Sequence, residues 1–443
     1  MMFAERDSSG AARTHRYANV AEVVRIRGPL DVGRLLRAAE HTAGDMDTLA
    51  GRFRHDGGAD LFTLEQGRRR ISHAFVTLTD TPEDLAASGL GETLRRAANQ
   101  PRDLQDDPPV HVLVAQISPQ DHLLLLVMDH SVSDGRTLVL FLRQLSRYYG
   151  WLCAAEGEES DRRPKPLPSF WDFTDGVAEA RREREESREF WSRALYRAAD
   201  VRGRPEFPGG RWKRKGTRDL TAVHLERWPE SETGAIDQIS AAHHVSPHMF
   251  ILAAYSLVAS SWSDGFVAVN YMRNGREDRR SVRVPGPLAE HAVTVPLESQ
   301  QEARGLGIAG YLAAWAAHNA ASPPYYGLTQ RELETLESEE NRLLLFNFLP
   351  AVPALRFGEA VGAHDPQIAA LLEPYDTTSK FGVRMQLIHD PHQELQVGVY
   401  SDPEILPAPE VLGRAVRQVV RCAVEHPETP VATAIEMVRQ SWS

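Results

Sequence analysis

Residues 123–145 read Leu-Leu-Leu-Leu-Val-Met-Asp-His-Ser-Val-Ser-Asp-Gly-Arg-Thr-Leu-Val-Leu-Phe-Leu-Arg-Gln-Leu. The opening run, Leu123 to Met128, has six apolar residues without alternation. That suits a strand buried on both faces, and it is far shorter than the roughly 20 residues that cross a bilayer. After the polar cluster Asp129–Gly135, Leu138, Phe141, Leu142 and Leu145 recur at helical spacing. A polar cluster therefore sits where a buried strand ends and a helix begins. A histidine there, His130, can reach into a cleft, and Gly135 permits a tight turn or a close backbone approach. The spacing fits a catalytic base, and it fits a hydrogen-bonded structural turn as well.

Val110 to Ile117 reads as a strand joined to the buried one by the Ser118-Pro119-Gln120 turn. Ile71 to Leu78 alternates as a strand, and Pro82 to Asn99 between them is helical in composition. Nearer the N-terminus, Val23 to Ile26 is a short strand that Gly28-Pro29 breaks before a helix over Leu30–Ala39, with Val32, Leu35, Leu36 and Ala39 on one face. Downstream, Glu156 to Pro168 carries Pro164, Pro166 and Pro168, which deny it a ladder or a helix interior. The linker is placed there, dividing the chain into 1–168 and 169–443. Val177 to Ala194 is a charged helix ending in Phe190-Trp191, Pro247 to Ser261 is a helix apolar nearly all round, and Phe266 to Tyr271 is a strand. Both halves alternate strand and helix, so the expected class is α/β (α+β).

Composition narrows the function. With 443 residues, 42% hydrophobic and 25% charged, there is room for two domains. Fifty Lys+Arg against 61 Asp+Glu leave a net charge of −11, so nucleic acid and membrane are poor partners. Cys153 and Cys422 are too few for a disulfide framework or a zinc site and read as free thiols of a reducing compartment. Met1 to Val20 lacks the apolar core of a secretory signal, and a cytoplasmic location is expected. Gly305–Gly310 matches G-x-G-x-x-G, but polar residues precede it, so it reads as a helix start rather than a dinucleotide site. His243, His244 and His248 lack ligand spacing and read as a capping turn before Pro247; no metal is expected. Arg211 to Arg218 is the main basic run, either a solvated loop or a patch that steers an acidic protein. No G-x-S-x-G, Walker loop or C-x-x-C occurs.

The segment Asp129–Gly135 resembles the His-His-x-x-x-Asp-Gly motif of nonribosomal peptide synthetase condensation domains and their chloramphenicol-acetyltransferase-like relatives. Further matches accompany it. Ile26–Asp31 resembles the family's opening strand and helix, Phe190-Trp191 its Tyr-Trp, and Phe250–Ser261 its buried helix. Asn274-Gly275-Arg276 resembles its Gly-Arg segment, Phe346-Asn347-Phe348 its Phe-Asn-Tyr strand, and Val399–Asp402 its last strand. The resemblance runs from about residue 18 to about residue 435. It implies two acetyltransferase-like subdomains in a V-shaped pseudo-dimer with an active-site tunnel between them.

Carried over by position, the second motif histidine is His130, the aspartate Asp134 and the glycine Gly135. Asp134 is then structural and pairs with an arginine, Arg276 in the first place and Arg273 as the spare. The first motif histidine is Asp129 here. A carboxylate at that position favours a charged, less available base if it meets His130, and changes little if it turns away. Ser131, Val132 and Ser133 are expected to border the substrate path, with Asn347 and Ser379 as weaker candidates.

The resemblance implies an acyltransferase that moves an acyl or aminoacyl group from a carrier-protein thioester to a small-molecule amine or alcohol, making an amide or ester in natural-product biosynthesis. His130 would act as general base, or as a positioning group if the amine arrives neutral. No bound cofactor is expected. The donor is the phosphopantetheine arm of a carrier protein in trans, or coenzyme A in the alternative reading of an acyl-CoA-dependent acyltransferase. A third reading, permitted by Asp129, is a noncatalytic domain that recruits carrier proteins or tailoring enzymes.

Overall fold

The computed structural model describes residues 19–56, 59–64, 70–78, 89–100, 107–154, 163–172, 188–193, 206–210, 218–263, 265–274, 276, 283–287, 290–297, 305–322, 343–372, 378–379, 381–389 and 394–440. The chain begins β1 (Asn19–Arg27), α1 (Val32–Gly44), β2 (Gly51–Asp56), β3 (Ala59–Leu64), β4 (Ile71–Thr77), α2 (Leu90–Asn99), β5 (Val110–Ser118), β6 (Asp121–Asp129) and α3 (Gly135–Cys153). It continues with β7 (Arg218–Asp219), β8 (Ala222–Trp228), α4 (Glu230–Ala242), α5 (Pro247–Ser261), β9 (Val269–Arg273), β10 (Glu290–Val293), α6 (Ile308–Ala320) and β11 (Leu344–Pro350). After these come β12 (Leu355–Phe357), β13 (Ala360–His364), α7 (Pro366–Ala369), β14 (Thr378–Ser379), β15 (Val383–His389), β16 (Leu395–Ser401), α8 (Pro409–Glu425) and α9 (Val431–Gln440).

Packing separates two compact units. The first holds the described residues up to 172 together with 276, 283–287 and 350–372; the rest form the second. The first unit thus draws two stretches from beyond residue 169, one around Arg276 and the other carrying the β12–β13 hairpin.

In the first unit a six-stranded sheet runs β12-β13-β1-β6-β5-β4. β6 lies inside it, antiparallel to β1 from Asn19↔Asp129 to Arg27↔Asp121 and antiparallel to β5. β4 and β5 are parallel, with α2 falling between them in the chain. The lack of alternation in β6 has a direct cause. Leu124, Leu126 and Met128 enter the core shared with α1 and α3, while Leu123, Leu125 and Val127 enter a second core with Leu90 and Leu94 of α2. Each such burial contributes about 1.5–3 kcal/mol. Gly28 ends β1 at φ 119, and a Cβ there would lie 2.8 Å from the Ala360 Cα, so the Gly28-Pro29 break needs glycine.

His122 is fully buried in β6, and neither ring nitrogen has a hydrogen-bond partner among the described residues. Burial pushes its pKa down, with Asp121 opposing. A folded value below the unfolded one of about 6.5 means that neutral His122 stabilises the fold fully above that pH, and the contribution is lost as pH falls through the folded pKa. The urea midpoint is therefore expected to drop between pH 7.5 and pH 5, and His122→Leu to flatten that drop. Parallel profiles for the two proteins would contradict this reading.

The second unit has its own six-stranded sheet, β10-β9-β11-β15-β16-β8, in which β9 and β11 pair parallel while β10–β9, β15–β16 and β16–β8 pair antiparallel. Its core is built around α5, buried almost from end to end because it is apolar on every face. α8 is amphipathic: Leu412, Val416, Val419 and Val420 point inward, while Arg417 outside bonds Glu232 at 2.8 Å. Gly305–Gly310 opens α6. A Cβ on its N-cap Gly307 would lie 2.4 Å from the Pro427 carbonyl oxygen, so glycine there serves packing.

The three histidines around the α4–α5 turn serve structure. His243 caps α4, His244 has φ 56, and His248 stacks on Phe348 with ring centroids 4.7 Å apart. Among the described residues no group of His, Cys, Asp and Glu could hold a metal, and no helix is long and apolar enough to cross a membrane. Cys153 and Cys422 are unbridged. The basic run up to residue 217, the linker over 156–162, the start of the helix expected from Pro82 and most of the one expected from Val177 lie outside the described residues.

Candidate active site

The loop after β6 is held by its own short polar side chains. Asp129, fully buried, donates its N–H to the Pro109 carbonyl at 2.9 Å. Its Oδ1 accepts the Ser131 N–H at 2.8 Å and the Ser131 hydroxyl, an Asx-type turn. Its carbonyl accepts the Ser133 hydroxyl at 2.6 Å and the Val132 N–H at 3.3 Å. The chain is thereby folded back so that His130 Nδ1 lies 2.9 Å from the Ser133 carbonyl oxygen.

That contact fixes the imidazole's proton. A carbonyl oxygen only accepts, so Nδ1 is the protonated nitrogen, and in the neutral ring Nε2 carries the lone pair. A half-buried histidine with its tautomer set by the backbone can take a proton through Nε2. Since Asp129 organises the loop through Ser131, Asp129→Ala is expected to lower the unfolding free energy by about 1–3 kcal/mol. Denaturant titration measures it, and an unchanged midpoint would remove Asp129 from this role.

Asp134 ends the loop and starts α3. As N-cap it accepts the Thr137 N–H at 2.8 Å. Its carboxylate also receives the Arg276 guanidinium twice, Nη1 to Oδ2 at 2.7 Å and Nη2 to Oδ1 at 3.0 Å. Both side chains are out of water, at 0% and 2% exposure. Further guanidinium protons are satisfied as well, Nε by the Val284 carbonyl at 3.0 Å and Nη2 by the Gly286 carbonyl at 2.9 Å. The Thr137 hydroxyl accepts the Gly286 N–H at 2.8 Å. A buried pair this fully bonded locks the start of α3 to residues 284–286.

The structure thus brings Asp129, His130, Ser131, Ser133, Asp134, Gly135 and Arg276 together in the first unit. Arg273, the spare, instead donates to the Ser322 carbonyl in the second unit. Val132 is buried in the core beside α3, and Ser133 is fully buried with its hydroxyl on the backbone, so both shape the loop. Asn347 lies half-buried in β11, and Ser379 accepts the Phe381 N–H at 3.0 Å; both belong to the second unit. Sequence reasoning missed Thr137 and Gly286. Asp-x-x-Thr at a helix start was the legible sign of the first, whereas nothing local announces the second.

The family model for the Condensation domain matches residues 10–305. The chain belongs to the condensation-domain family. Among relatives, the isonitrile lipopeptide synthase of Mycobacterium tuberculosis (strain ATCC 25618 / H37Rv) is 26% identical over 269 residues, which is 59% of this chain and 10% of that protein. The chain spans between 1% and 10% of the first curated relatives it matches. The first condensation domain of the calcium-dependent antibiotic (CDA) synthetase matches with TM-score 0.73 at 17% identity, covering 94% of this chain and 93% of that one. VibH, an NRPS condensation enzyme, matches with TM-score 0.66 at 17% identity, covering 96% and 92%. The fold is therefore the chloramphenicol-acetyltransferase-like fold of condensation domains. Condensation domains are transferases that form amide or ester bonds from substrates held on carrier-protein phosphopantetheine arms.

Proposed function

We propose that this condensation domain transfers an acyl or aminoacyl group from a carrier-protein thioester to an amine or hydroxyl, with His130 as the proton acceptor. The observation that carries the reading is the Nδ1–H bond to Ser133, which leaves Nε2 as the basic nitrogen. The acceptor nitrogen or oxygen bonds to the thioester carbonyl carbon and gives its proton to Nε2. The tetrahedral intermediate then breaks its carbon–sulfur bond, and the proton passes to the departing phosphopantetheine thiolate. An amide or ester and a free carrier thiol result. A thioester is already activated, so the protein need only hold the two partners in line and manage one proton.

In this reading Asp134 and Arg276 act as scaffold, fixing α3 and with it the loop that presents His130. The Gly135 N–H, at the first residue of α3, is the candidate donor to the developing oxyanion, helped by the positive end of the helix.

The test is incubation of the chain with acyl-loaded carrier protein, supplied as a separate protein, and a panel of amines and alcohols, with acyl coenzyme A as a parallel donor. Intact-mass spectrometry is expected to show the carrier losing its acyl group while an amide or ester product appears. Carrier that stays loaded with every acceptor, alongside measurable carrier binding, would move the reading to recruitment.

A further inference from the structure

Arg136, the second residue of α3, sits in an electrostatic position that no described residue relieves. It is half-buried, and its Nε is buried without a hydrogen-bond partner among the described residues. No ion pair joins it to a described carboxylate. Asp134 attracts it, yet both oxygens of that carboxylate are already taken by Arg276. Two like charges, Arg143 and Arg276, also act on it and, with burial as the larger cause, push its pKa down. A cation in the first helical turn is further disfavoured by the peptide dipoles.

A half-buried, unpaired charge next to like charges destabilises a resting protein, and such uncompensated conflicts concentrate where a ligand resolves them. A planar guanidinium with free donors matches carboxylate and phosphate oxygens in paired hydrogen bonds. We propose that Arg136 binds an oxyanion carried by the substrate. Two sources share that chemistry, a carboxylate on the acyl or acceptor component and the phosphate of a pantetheine arm. Assigning the anion to the substrate rests on the reading of His130, six residues earlier, as the reacting group; the anion binding itself does not.

Calorimetry on the wild type, Arg136→Met and Arg136→Lys, with paired probes, tests this. The pairs are pantetheine 4′-phosphate against pantetheine and succinate against succinamide. In at least one pair the wild type is expected to bind the anion at least tenfold more tightly than its neutral partner. Arg136→Met loses that preference and Arg136→Lys regains part of it. A preference in the first pair assigns the anion to the arm, and one in the second assigns it to a substrate carboxylate. His130→Ala keeps the preference, which separates this proposal from the catalytic one. Without probe, Arg136→Met melts no lower than the wild type, because no partner among the described residues is lost. Equal binding within both pairs, or a preference that survives in Arg136→Met, overturns the proposal. A melting point several degrees lower in Arg136→Met does so too, by making the guanidinium part of the scaffold.

Discussion

Arg276→Ala is expected to lose about 3–5 kcal/mol of unfolding free energy. The buried Asp134 carboxylate would then lose the guanidinium bonded to both its oxygens and, among the described residues, keep the Thr137 N–H and hydroxyl donors. Acceptors at residues 137, 284 and 286 would each lose one donor at the same time. Arg276→Lys is expected to recover little, since one ammonium cannot reproduce two parallel bonds to a carboxylate and further bonds to the backbone. Asp134→Ala should fall in the same range, adding the loss of a helix cap, worth about 1 kcal/mol. The double variant should cost less than the sum, because neither partner is left alone. Urea titrations measure all of these. As a control, Arg421→Ala breaks an exposed pair with Glu425 and should change stability by less than about 1 kcal/mol. An Arg276→Ala protein as stable as that control would show that the pair does not hold the site.

Such a loss is large against the roughly 5–15 kcal/mol that keeps a typical domain folded. Activity lost in Arg276 or Asp134 variants therefore reports on the scaffold unless folding is measured alongside. His130 is different: it is half-buried, and its one described hydrogen bond goes to a backbone carbonyl. Removing the ring leaves the loop's own bonds through Asp129, Ser131 and Ser133 in place.

What the sequence made legible follows from how local each signal is. β6 and α3 could be read because a doubly buried strand shows as an unbroken apolar run and an amphipathic helix shows its period, here from Leu138 to Leu145 over about two turns. α5 emerged with the expected limits, Pro247 to Ser261, because proline favours the first helical position and every face is apolar. β1 runs four residues further back than its apolar part, since Asn19–Glu22 are ordered by pairing with β6 rather than by their own character. The β12–β13 edge was not readable: strands of three and five residues give no period, and their place beside β1 is a long-range fact.

The site divides along the same line. His130 and Asp134 stood out from their place between strand and helix, but Arg276 lies 142 residues from Asp134 and entered through family resemblance alone. Val132 and Ser133 turn inward because the loop folds back on Asp129, which only the hydrogen bonds reveal. Those same bonds tie the Asp129 carboxylate to Ser131 and the His130 ring to Ser133. Arg136 carried no visible signal either, since a charged residue at a helix start is ordinary until its surroundings are known, and among the described residues they hold no hydrogen-bond partner for its Nε.

The most direct test of the account is the single-turnover rate of acyl transfer from loaded carrier protein to an acceptor that the wild type uses, compared between wild type and His130→Ala under conditions where both melt at the same temperature. A fall of about 10²–10⁴ in rate is expected with carrier binding unchanged, the usual contribution of a positioned acid–base group. A His130→Ala protein that forms the product as fast as the wild type would contradict it, and would leave the loop a structural turn.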